Sequence, residues 1–120
     1  MAFQLQIEQR LGYLAVRVIG AGDVEEAGNQ FEIVLDHCKR TNNKKLLVDI
    51  RDVEGGFSFL DKYYLIEKLW LGVSNLVKVA TVNTQEKIDP RRFGELVAHN
   101  RGLNLRAFTD YEIAEKWLLE

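Results

Sequence analysis

The segment LLVDIRDVEGGFSFLDKYYLIEKLWLGV, residues 46–73, constrains the fold more than any other part of the chain. Leu46, Leu47, Val48 and Ile50 form a branched apolar run broken only by Asp49, the pattern of a central strand covered on both faces. Gly55-Gly56 ends that run. Ser58 is placed to cap a following helix, with Asp61 three positions on completing a short-armed capping box. In this helix Phe59, Tyr63, Ile66 and Trp70 follow three- and four-residue steps and are expected to face the sheet. Leu60, Tyr64 and Leu71 make a second apolar line and Leu65 and Leu69 a third, while only Asp61, Lys62, Glu67 and Lys68 carry charge. So few charges cannot cover an ordinary outer face. The surplus is therefore expected to meet a second subunit (a homodimer), another protein partner, an apolar ligand or a lipid surface; its plain alternative is burial by a neighbouring helix. Phe57, Ser58, Phe59, Leu60, Tyr64 and Leu71 make up this candidate surface.

The flanking segments supply the rest of an α/β sandwich. Phe3, Leu5 and Ile7 alternate with polar residues as in a half-buried edge strand, and Leu11-Gly12 turns the chain into a more continuously apolar strand, Tyr13 to Ile19. Asp23 is placed to cap an amphipathic helix whose inward residues are Val24, Ala27, Phe31, Val34, Leu35 and Cys38. After the central segment, Ser74-Asn75 turns into a buried strand from Leu76 to Val82. Asp89 and Pro90 then read as cap and first residue of a third helix, stapled by Ile88 and Phe93 and stopped at Gly102. A short strand from Leu103 to Phe108 follows. Thr109 and Glu112 read as a capping box for the last helix, with Ile113, Ala114, Trp117 and Leu118 turned inward. The order β-β-α-β-α-β-α-β-α predicts one domain over residues 1–120, built on a mixed, mostly parallel sheet with helices packed against it. The Leu46–Ile50 strand should lie inside that sheet, between the strands of Val16 and Val79 or directly beside one of them.

Composition narrows the function classes. Among 120 residues, 16 basic and 18 acidic side chains leave a net charge of -2, which disfavours a phosphate-tracking nucleic-acid surface. The single cysteine forms no internal disulfide, and the sequence holds neither a signal-peptide pattern nor an apolar run long enough to span a bilayer. A cytoplasmic protein is expected, with peripheral membrane association as its one membrane role. His37 and Cys38 are adjacent and diverge on a helix, and His99 falls on a polar flank, so no metal site is expected. No serine or cysteine has a histidine at nucleophile spacing, and no cofactor motif occurs; Gly55-Gly56 lacks the remainder of a P-loop. Asp49 and Asp52 could form a carboxylate pair, or could be ordinary turn chemistry paired with Arg51 or Arg92. Arg92, beside Arg91, is a candidate anion contact, with an intramolecular pair to Glu95 or Asp89 as the alternative. An enzyme is not expected.

Three motifs carry a family resemblance. GAGD at residues 20–23 resembles the G-x-x-D before the first helix of the sulfate-transporter and anti-sigma-factor-antagonist (STAS) fold. DIRDVEGGFS at 49–58 resembles the family's strand and switch loop, and IDPRRFGELVAHNRGLNLRAFTD at 88–110 resembles the C-terminal half of its SpoIIAA-like group. The resemblance implies a STAS domain acting as a regulatory or protein-interaction module in signalling, with Ser58 at or beside the serine that a partner kinase phosphorylates. Here Phe57 replaces the preceding acidic residue, and Phe59 or Leu60 the following glycine. The expectation is therefore a module without the standard serine phospho-switch, in which Ser58 caps the helix. Binding of a lipid-like apolar ligand, or of a membrane surface, through helix 58–71 is the alternative.

Overall fold

The alternation of Leu14 and Val16 with Tyr13 and Ala15 decides the layering, because successive strand residues point to opposite faces and here both faces are apolar. In the computed structural model five strands form one sheet in the order β1 (Gln4–Arg10), β2 (Tyr13–Gly20), β3 (Lys45–Val53), β4 (Lys78–Val82) and β5 (Leu105–Phe108). The backbone is described for residues 3–72, 76–88, 92–100 and 102–120, and within these the side chains of 59, 69–72, 93, 94 and 97 are not. β1 pairs antiparallel with β2 through a two-residue turn, Leu11-Gly12, in which Gly12 takes a φ of 90° that a side chain resists. β2, β3, β4 and β5 pair in parallel. The strand of Val48 thus lies inside the sheet, as its apolar run predicts, and its neighbours are those of Val16 and Val79.

Helices α1 (Val24–Arg40), α2 (Phe59–Gly72) and α3 (Phe93–Asn100) connect successive parallel strands and cover one face. Helix α4 (Tyr111–Leu119) covers the other, where Ala114 and Leu118 meet Tyr13, Ala15, Leu47, Ala80 and Val82. Asp23 caps α1 by accepting the Glu26 N–H at 2.8 Å. A glycine sets how closely α2 approaches α1: a Cβ on Gly28 would lie 3.2 Å from Lys68 Cδ and 3.3 Å from Tyr64 Cε2.

Several local expectations are corrected. The cap of α4 is Asp110, which accepts the Ile113 N–H at 3.0 Å, so the helix starts one residue later than Thr109 and Glu112 suggest. That rotation leaves Ile113 59% exposed, while Ala114 and Leu118 stay inside. On α2 the inward stripe is also rotated: Leu65 and Ile66 are buried, whereas Tyr63 is 41% exposed. Because α2 runs between α1 and α3, its inward arc is wider than one three-and-four stripe, and Leu65 fills it by packing on Phe3 and Ala27. β4 begins at Lys78, with Val77 exposed, and β5 begins at Leu105. A short 3-10 turn, Gln85–Lys87, precedes α3 where the sequence suggests none. The expected cap and turn at Asp89, Pro90, Ser74 and Asn75, and the side chains of Phe59, Trp70, Leu71 and Phe93, lie outside the described residues.

Candidate functional site

Between the sheet and the layer of α1, α2 and α3 lies a cavity of about 410 Å³. Its floor is the sheet face that carries Leu5, Val16, Val18, Val48, Ile50 and Val79. α1 contributes Ala27, Phe31, Val34 and Leu35 to the roof, and α2 contributes Leu65 and Ile66. These are the side chains that periodicity assigns to a closed core, yet the helices stand far enough off the sheet to leave space. Packed interiors hold few voids larger than one water molecule, so a volume of this size is a pocket and not a packing fault.

The lining is not uniform along the strands. At their amino ends it is made of Leu46, Val79 and Leu105 with Val34 and Leu35. At their carboxyl ends it takes in Thr81, Asn83, Lys62, Lys87, Arg92 and Glu95, with Gly55, Gly56 and Phe57 of the loop between β3 and α2. The carboxyl ends of parallel strands, where open α/β sheets keep their ligand crevices, are therefore the polar end of the cavity.

One ion-pair system borders that end, and a second lies across the sheet from it. Arg92, with a positive φ of 51°, precedes α3 and donates from Nη1 to Glu95 Oε1 at 2.6 Å and to the Ala107 carbonyl at 3.0 Å. Glu95 also accepts the Ala107 N–H at 2.7 Å, which ties the start of α3 to β5. Arg92 is thus committed to the intramolecular pair that the sequence offers as the alternative to an anion contact. On the other face of the sheet Asp49 receives both the backbone N–H and the guanidinium of Arg51, at 3.1, 2.9 and 2.8 Å. Burial pushes the Asp49 carboxyl up, but the hydrogen bonds from Arg51 and the charges of Arg51 and Arg17 outweigh it and hold the group below its ordinary range. Arg17 in turn donates through Nε to Asp52 at 2.9 Å, where the β2–β3 register shifts. The two aspartates have separate arginine partners and do not form a carboxylate pair.

The remaining candidates sit apart. Cys38 is buried in the core of α1, and burial pushes its thiol up to about 11, so it stays protonated at neutral pH. His37 lies in the last turn of the same helix and His99 is exposed on α3. Among the described residues no group of three or more His, Cys, Asp or Glu side chains could hold a metal ion.

Of the surface proposed for α2, Leu60 is 82% exposed and Tyr64 40%, while Phe57 lines the mouth of the cavity. The side chains of Phe59 and Leu71 lie outside the described residues. Ser58 and Asp61 form the reciprocal capping box: Ser58 Oγ accepts the Asp61 N–H at 3.1 Å, and Asp61 Oδ2 accepts the Ser58 N–H at 3.2 Å. Ser58→Ala is therefore expected to lower stability by about 1 kcal/mol, and Ser58→Asp to be tolerated, since aspartate caps as well as serine. Urea unfolding checks both; a Ser58→Ala protein with wild-type stability would leave the cap without an energetic role.

Lys62, Lys87 and the cavity-facing side chains of β2 and β3 are absent from the sequence-based site. The signal for them was weak: an isolated lysine in a helix reads as solvated, and a strand apolar on both faces reads as packed on both. No protein-family model matches the chain, and no curated protein matches it. A similar solved structure is that of an uncharacterized protein of the DUF3478 family with a SpoIIAA-like fold from Shewanella loihica PV-4. It is 19% identical, with 98% of this chain and 94% of that one covered and a TM-score of 0.63. At that identity the likeness is one of fold: the chain has a SpoIIAA-like fold.

Proposed function

We propose that this SpoIIAA-like domain is a non-enzymatic binding module that encloses an apolar small molecule between its sheet and helices α1 and α2. One observation carries the reading, the 410 Å³ cavity on an apolar floor. The volume falls in the range of small-molecule pockets. Its size also argues against an empty state as the resting one. At ~24 cal/mol per Å³ of unfilled core space, a sealed void of this volume would cost on the order of 10 kcal/mol, comparable with the whole stability of a small domain. Space on that scale is sustained by an occupant or by solvent at its open end. The apolar surplus on α2 thus has an inner use as well as an outer one, since Leu65 faces the cavity beside Ile66.

Leu60 and Tyr64 favour a second role, regulatory docking of a protein partner or of a second copy on the outer face of α2. Among the described residues no helix is long and apolar enough to cross a membrane. In this reading Ser58 is a cap and carries no phospho-switch.

Native mass spectrometry of protein purified without detergent tests the proposal. The expected result is a mass excess of a few hundred daltons that disappears on denaturation. A bare subunit mass, together with no uptake of the neutral apolar dye N-phenyl-1-naphthylamine, would sink it.

A further inference from the structure

We infer that the occupant is a single-chain amphiphile with a carboxylate head, held tail-first with the head at the carboxyl ends of the strands. This rests on the pocket reading above and adds the ligand class. Three features of the cavity point to it.

The first is volume. At the ~30 Å³ that a water-sized group takes in a liquid, roughly 14 chain units fill the 410 Å³ space. One acyl chain fits.

The second is the gradient of the lining. From Leu46, Val79 and Leu105 at one end, the walls change to Thr81 and Asn83 at the other, along the same strands. An apolar body with one polar tip matches this layout, whereas a wholly apolar ligand would leave the polar end without a partner.

The third is charge. Lys62, Lys87 and Arg92 border the polar end, against one carboxylate among the described lining residues, Glu95. Glu95 is already engaged by Arg92 and by the Ala107 N–H. Among the described residues Lys87 meets a neutral group, donating from Nζ to the Val53 carbonyl. Lys62 is partly buried on α2; its backbone N–H donates to the Ser58 carbonyl, but among the described residues its ammonium group has no ion-pair partner. The Lys62 ammonium, partly buried beside a low-dielectric space, has no counter-charge among the described residues, and a carboxylate supplies one; Lys87, exposed at the same end, adds a second positive charge. A neutral head would leave both charges as they are, and a cationic head would be repelled.

The test is displacement of N-phenyl-1-naphthylamine from the stripped protein, at low ionic strength and neutral pH, by tetradecanoate and by 1-tetradecanol. Tetradecanoate is expected to displace the dye at about tenfold lower concentration. Lys62→Met, which keeps the apolar stem, is expected to abolish that preference while leaving 1-tetradecanol unchanged; Lys87→Met, on a separate element, should reduce it. If both compounds displace the dye equally well from the wild type, the head-group assignment is wrong and the pocket stands. If neither displaces it and the dye itself does not bind, the pocket reading fails as well. A carboxylate preference that survives both substitutions would overturn the role of these lysines.

Discussion

Leu47→Ala is expected to cost about 4–5 kcal/mol of folding stability in protein stripped of any occupant, and Leu46→Ala only about 2–3 kcal/mol. The two leucines are neighbours on β3 and both are essentially inaccessible, at 0% and 1% exposure, so burial alone predicts equal losses. Their surroundings differ. Leu47 packs under α4 against Tyr13, Ala80, Ala114 and Leu118, where truncation opens a new void in a filled layer. Leu46 lines the cavity, and a side chain with empty space on one flank has already forfeited part of its dispersion contacts. Removing it enlarges a space that exists rather than creating one. Urea unfolding of the two variants, read through the two-state midpoint and slope, measures the difference. Equal losses would mean that the helix-α1 side of the sheet is as tightly filled as the α4 side.

The same contrast explains what the sequence made legible. Strand order, parallel pairing and the inner position of β3 follow from apolar runs, turn glycines and the short connections between elements, all of which are local. Ser58 and Asp61 are also local: two short polar side chains three residues apart before an apolar run close a capping box with little alternative. Errors begin where a choice between adjacent residues depends on tertiary contact. Thr109 and Asp110 both can cap, and Asp110 does, which turns Ile113 out and Ala114 in. On α2, periodicity identified too many apolar residues for one stripe and placed the excess outside. Part of it, Leu65, turns in toward Phe3 and Ala27, because helices on either side widen the buried arc. The cavity itself was illegible. Whether Val16 and Val48 touch a helix or face a gap depends on how far α1 and α2 stand from the sheet, and no residue type encodes that distance. Arg92 shows the converse case: both of its readings were visible in the sequence, and only the approach of β5 to the start of α3 gives it Glu95 and the Ala107 carbonyl together.

Stripping the protein with an apolar resin is expected to lower its melting temperature by roughly 10 °C, and Val48→Phe to remove that difference. Val48 sits mid-strand on the cavity floor, with Val16 beside it on β2. An occupant present at about 100 times its dissociation constant stabilises the folded state by ~2.7 kcal/mol, which for a domain of this length corresponds to about 10 °C. A phenyl ring on residue 48 would project into the space the occupant uses. The stripped variant should therefore gain about 1 kcal/mol from better filling, while ceasing to respond to extraction or to added tetradecanoate. The two effects have opposite signs, which separates them from ordinary core damage: overpacking a filled interior destabilises by about 1–3 kcal/mol. Differential scanning fluorimetry before and after extraction, with Ala27→Leu as a second filling variant from the α1 side of the cavity, gives the comparison. Untreated and stripped wild type that melt together, with both variants destabilised, would show that the space beneath α1 and α2 is closed in solution and would remove the basis for ligand binding. A stabilised, unresponsive Val48→Phe would instead tie the occupant to the sheet face that β2 and β3 present.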